Sequence, residues 1–154
     1  MKFIRANRIL PWIANNFQVK GIFFIIRHPC ATIASQLETG VTGYDMPESI
    51  PLAKKIVLSS ISEIKELRDN KELMRKIKTI KAREEILAVI WGVDNYLPLY
   101  YHRKFDWYLL CYESLVANLE KELKNIFSYI NEEVPKEAYS KNSNTEHDVA
   151  NPFL

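Results

Sequence analysis

Cysteine is scarce in this sequence. Only Cys30 and Cys111 occur, far apart and with no metal-ligand spacing around them. Such a pair builds no disulfide framework, and a reducing, cytoplasmic compartment is the expectation. Glycine is nearly as scarce, and none of Gly21, Gly40, Gly43 and Gly92 sits in the context of a phosphate loop. No run of eighteen apolar residues occurs, so no membrane span is expected. Lys2, Arg5 and Arg8 precede an apolar run that Pro11, Asn15 and Asn16 break, which does not read as a signal peptide. No internal repeat or low-complexity tract is present. A surplus of one charge is lacking as well. The 21 basic and 19 acidic residues leave a net charge of +2, which argues against a whole-surface nucleic-acid binder. Any anion site must therefore be local.

What is there is ordinary globular material. Hydrophobic residues make up 47% and charged residues 26% of 154 positions, enough for one domain with a core. Met1 to Ile4 reads as the tail of a strand, and residues 8–17 as a short helix holding Ile9, Leu10, Trp12 and Ile13. Gly21-Ile-Phe-Phe-Ile-Ile26 is a continuous apolar run and predicts a strand covered on both faces, as in parallel sheets. His28-Pro29 opens a helix to about Glu38, because proline suits the first helical turn. Residues 40–47, with two glycines and a proline, read as a loop that could shape an acceptor site.

Residues 48–101 predict a long helical region broken near Asp69-Asn70. Its last part carries Ile86, Ile90, Val93, Leu97 and Tyr100 at amphipathic spacing. Residues 106–112 predict a second buried strand. Ser114 is placed to cap a following helix with Leu115, Leu119, Leu123, Ile126 and Ile130 on one stripe. Residues 140–148 read as a loop or disordered tail. Alternating strands and helices argue for an α/β class with a parallel sheet. Only two whole strands and a fragment are visible, which predicts a single incomplete domain over 1–154, or one that borrows strands from a partner chain or a second copy.

Ligands of open α/β sheets bind beyond the carboxyl ends of the strands. The first strand ends at Arg27, directly before a helix start, where free N–H groups and the helix dipole favour an anion. A guanidinium adds a fork that matches two phosphate oxygens. His28, Thr32 and Ser35 share one helix face, which allows Arg27 and Ser35 to meet one oxyanion. The competing reading is that Arg27 caps the strand edge and pairs with a carboxylate. Ser35 alone reads as a packing serine, and Tyr112, at the end of the second strand, as a core aromatic.

The segment Ile25-Ile-Arg-His-Pro-Cys-Ala-Thr-Ile-Ala-Ser-Gln-Leu37 resembles the second signature of sulfotransferases that use 3′-phosphoadenylyl sulfate (PAPS). In that family an arginine ends a strand, a serine eight positions on lies in the next helix, and both bind the nucleotide's 3′-phosphate. The resemblance implies that role for Arg27 and Ser35. Lys2-Phe-Ile-Arg-Ala-Asn-Arg-Ile-Leu-Pro-Trp12 is similar to the segment just upstream in bacterial members. Tyr112-Glu-Ser-Leu115 is similar to the family's Tyr-Glu-Asp-Leu element, whose tyrosine lies near the nucleotide, with Ser114 where aspartate is usual. The resemblance spans residues 2–131. It implies a P-loop-type three-layer α/β fold, a nucleotide sulfate donor as co-substrate without a metal, and sulfuryl transfer to an acceptor hydroxyl or amine.

Three family parts are not found. The N-terminal phosphate loop is missing, as is a histidine following Lys2, since Phe3, Ile4 and Arg5 stand there. No late glycine-rich basic loop occurs in residues 140–154. The expectation is a fragment cut at both ends, keeping the 3′-phosphate half of the nucleotide site, with catalytic base and acceptor unassigned. His28 is placed to donate to the phosphate rather than to act as a base.

The alternatives are a non-catalytic nucleotide-binding remnant that needs a partner chain, and a nucleotide or nucleoside kinase relative without a visible Gly-x-x-x-x-Gly-Lys loop. A cysteine phosphatase built on Cys30 is disfavoured, because Gln36 stands where its phosphate-binding arginine would be. Cys30 instead reads as a small packing residue. The basic run 75–83 reads as a solvated helix face, and Tyr96, Tyr100 and Tyr101 as core or interface packing.

Overall fold

The computed structural model describes residues 6–38 and 49–140. A 3-10 turn, Asn7–Ile9, leads into helix α1, Leu10–Asn16, with Pro11 in its first turn. Strand β1 is Phe23–Ile26 and helix α2 is Pro29–Glu38. Helix α3, Ile50–Glu63, starts where the Ser49 hydroxyl accepts the Leu52 N–H at 3.4 Å. Helix α4, Lys71–Thr79, starts where the Asn70 side chain accepts the Leu73 N–H at 2.9 Å. Each cap satisfies an N–H that the first turn leaves without a helical partner.

Helix α5, Arg83–Phe105, is the longest element. The Glu85 carboxylate accepts the N–H groups of Ala82 and Lys81, each at 3.2 Å, and these bonds hold its pKa below the usual carboxylate value. At the other end Asp106 takes the left-handed conformation, with φ of 49°, and turns the chain into strand β2, Tyr108–Cys111. Three short helices follow: α6 (Tyr112–Ala117), α7 (Leu119–Tyr129) and α8 (Lys136–Ser140).

β1 and β2 pair in parallel, with Phe23 opposite Tyr108 and Ile26 opposite Cys111. Two apolar clusters support them. The larger joins α3, α4 and α5 through Ala53, Val57, Ile61, Ile77, Ile86 and Leu87, all at most 2% exposed. The smaller packs Leu10, Phe24 and Trp107, with Tyr101 and Phe105 of α5 against them. Thus α5 spans both clusters and ties the sheet to the helical core. On the other sheet face Tyr129 meets Phe23 and Tyr108, with ring centroids 5.3 and 5.4 Å away. Its hydroxyl donates to the Asp106 carbonyl at 2.8 Å and accepts the Ile22 N–H at 3.4 Å. Gly21 permits this approach, since a Cβ there would lie 2.8 Å from both Tyr129 and Ile130.

The α/β class holds, with helices predominating. The three-layer sheet does not form among the described residues: two strands of four residues make the whole sheet. For the same reason β1 is not covered on both faces. Phe24 is buried, whereas Ile25 is 57% exposed. The region read as one helix with one break is three helices. The second break comes at Ile80 to Ala82, where Glu85 captures the N–H groups that would continue α4. Ser114 is not a cap but lies inside α6, and Asn118 caps α7 by accepting the Lys121 N–H at 3.1 Å. Cys30 and Cys111 are free thiols, and Cys30 is exposed rather than packed. The expected N-terminal strand fragment, the loop 40–47 and the tail beyond Ser140 lie outside the described residues.

Two outcomes follow from this packing. Ile61→Ala removes a fully buried side chain from the larger cluster and is expected to cost roughly 2–5 kcal/mol in urea unfolding. The Tyr101 hydroxyl donates to the Glu66 carboxylate, which, with burial, pushes the phenol up to about 12. This raised pKa favours the folded state below the ordinary tyrosine range, and the gain is lost as pH rises through about 12. Glu66→Gln should bring the Tyr101 titration down toward the usual value of 10.0, read from its ring-carbon NMR shift.

Candidate functional site

The parallel register continues past the strand ends and brings Arg27 beside Tyr112. The guanidinium carbon lies 5.3 Å from the centroid of the Tyr112 ring. Such a contact is worth about 0.5–1 kcal/mol at an exposed site and holds a long side chain in place. Among the described residues no carboxylate stands within ion-pair distance of Arg27. Among the described residues, then, Arg27 is not spent on an ion pair with a carboxylate.

The helix start itself is less open than its sequence suggests. The Glu113 carboxylate accepts the His28 N–H at 2.9 Å, and Nδ1 of His28 accepts the Cys30 N–H at 3.2 Å. Pro29 has no N–H to offer. The Thr32 hydroxyl donates back to the His28 carbonyl at 3.2 Å. An anion arriving here meets the Arg27 fork more than a row of free amides. Glu113 is itself an anion at the corner. The His28 N–H first, its own backbone N–H next, and then the charges of His28 and Arg27 draw its pKa below the usual carboxylate range.

Beside the corner is a cleft of about 210 Å³ between β1, α2, α5 and the 3-10 turn. Arg27, Thr32, Gln36, Trp91, Asp94 and Asn95 are among its walls. Its floor is braced by polar bonds that cross the fold. Asn7 Nδ2 donates to Asn95 Oδ1 at 3.1 Å, and Asn95 Nδ2 donates to the Trp91 carbonyl at 2.7 Å. Arg8 meets Asp94 Oδ1 through Nε at 2.7 Å and Nη2 at 2.6 Å.

Of the three residues singled out in the sequence, the structure brings two together, Arg27 and Tyr112. Tyr112 is 43% exposed and is not a core aromatic. Ser35 lies two turns along α2, half-buried, and the cleft is lined instead by Thr32 and Gln36 of the same helix. Sequence reading passed over Asn7, Asp94 and Asn95. The signal for the last two was a polar pair following buried Val93, at a place where asparagine is unfavourable unless its side chain has work to do. No family model, curated protein or solved structure matches this chain.

The Glu113 contact has a pH signature. Because its pKa is depressed in the fold, the contact is in place above the ordinary glutamate pKa and is lost as pH falls through the lowered value. The His28 amide resonance should titrate in that acidic window, and Glu113→Gln should abolish the titration.

Proposed function

We propose that this chain binds 3′-phosphoadenylyl sulfate through its 3′-phosphate at Arg27, and that in a complete site it serves a sulfotransferase. The observation that carries the reading is the Arg27 guanidinium: exposed, without a carboxylate partner among the described residues, steadied by Tyr112 and set on the wall of a cleft. The strand–arginine–helix order and the serine eight positions on support it. In this reading the guanidinium fork takes two phosphate oxygens, Ser35 adds a hydroxyl from α2, and Tyr112 flanks the nucleotide. The donor supplies an activated sulfuryl group: its bond to the leaving phosphate breaks as a bond to the acceptor oxygen or nitrogen forms, and the acceptor loses a proton. Asp94 is a carboxylate lining the cleft, but Arg8 already holds it, so it is not assigned that proton.

A second reading has its own support. Phe23 and Ile25 are 38% and 57% exposed on a sheet that has two strands among the described residues. A nucleotide-binding subunit completed by strands of a partner chain or a second copy would cover them.

Adenosine 3′,5′-bisphosphate tests the site directly. Arg27→Ala should weaken its binding about 10–100-fold, the worth of a charge-assisted bidentate contact. Arg27→Lys should recover only part of it, because an ammonium lacks the fork. Equally weak binding by wild type and Arg27→Ala in calorimetry overturns the proposal.

A further inference from the structure

The balanced charge of the whole chain conceals an uneven distribution. Residues 50–83, which run through α3 and α4 to the first residue of α5, carry ten basic and four acidic side chains, a surplus of six. With +2 overall, the remainder has a net charge of −4. Within the basic part, Lys71, Arg75 and Lys78 recur at spacings of four and three and form one outward stripe along α4. All three are exposed, and so is Lys81 just beyond the helix. Among the described residues none of these four has a carboxylate within ion-pair distance, while Lys76, on the adjacent face, is paired with Glu72 at 2.9 Å.

The stripe is held firmly. Ile77 on the opposite side of α4 is fully buried in the larger core cluster, and Leu73 and Met74 pack against that cluster. The Lys54 ammonium donates to the Lys78 carbonyl at 2.9 Å, which joins α3 to the last turn of α4. From Lys71 to Lys78 the cations run roughly 10 Å along the axis.

The chemistry of the face selects among polyanions. It presents no aromatic ring on which a single-stranded base could stack, and no Asn or Gln to read a base edge. The apolar side chains of α4 point into the core, so the face has no apolar centre around which a protein interface could desolvate. Lysines outnumber arginines, and a lysine is a flexible point charge rather than a fork for one fixed phosphate. A surface of mobile anionic headgroups needs none of the missing features.

We propose that the α4 stripe of Lys71, Arg75 and Lys78, with Lys81 at its end, docks this protein on anionic lipid headgroups without insertion into the bilayer. The attraction is electrostatic and shallow. Each cation near such a surface contributes about fivefold in partitioning, falling as salt shortens the reach of the charge.

Sedimentation with vesicles tests it. Wild type should partition onto phosphatidylcholine vesicles containing phosphatidylserine, not onto phosphatidylcholine alone, and raised salt should release it. The triple variant Lys71→Glu/Arg75→Glu/Lys78→Glu should lose at least tenfold in partitioning. Lys121→Glu/Lys124→Glu/Lys136→Glu changes the net charge equally on other helices and should keep most of it. All six sites are exposed, and circular dichroism checks that both variants fold. Equal binding to the two vesicle types overturns the proposal, as does equal loss by the two variants. Tighter binding of wild type to a short DNA duplex than to the anionic vesicles assigns the stripe to nucleic acid and also overturns it.

Discussion

Parallel pairing of Phe23–Ile26 with Tyr108–Cys111 decides where everything else can be. Its register sets Phe23 against Tyr108, so the residues that follow the two strands also meet, and Arg27 comes to lie over Tyr112. The same pairing places the start of α2 within reach of Glu113 on α6. A slip of one residue would turn Phe24 out of its cluster with Leu10 and Trp107, because neighbouring strand residues face opposite sides. Register and corner are therefore one arrangement, guarded by the burial of Phe24 and Trp107.

That arrangement rests on α5. Its first half contributes Ile86, Leu87 and Val93 to the helical core, and its last turns pack Tyr101 and Phe105 toward the sheet. Between these, Trp91, Asp94 and Asn95 line the cleft and hold the 3-10 turn through Asn7 and Arg8. Buried asparagine is retained only where its amide is satisfied on both sides, as it is here. One helix thus serves as core, floor and brace.

Much of this was legible from local signals. The strand–arginine–proline order located β1, the corner and the start of α2, since each depends on backbone chemistry within a few residues. Tyr112 was legible as the end of a second parallel strand, but its contact with Arg27 was not, because the pairing joins segments far apart in the chain. What was not legible depends on partners at a distance. Nothing local announces that Glu113 takes the His28 N–H, or that Ile25 stays exposed. The break at Ile80 to Ala82 escaped for a different reason. It contains no glycine or proline and is made by Glu85 reaching backwards to the N–H groups of Lys81 and Ala82.

The sheet also has a consequence for the order in which the molecule assembles. Contacts among α3, α4 and α5 join segments near one another in the chain, whereas β1 must wait for a strand on the far side of all three. Closing that loop loses entropy before any strand contact repays it. The helical core is then the early, durable unit, and the strand pair with its arginine corner forms last and opens first, a ranking that amide exchange at Phe24, whose N–H faces β2 in this register, and at Val57 would reveal. A ligand that bridged Arg27 and Tyr112 would be binding at the weakest seam of the fold, and would act as its final clasp.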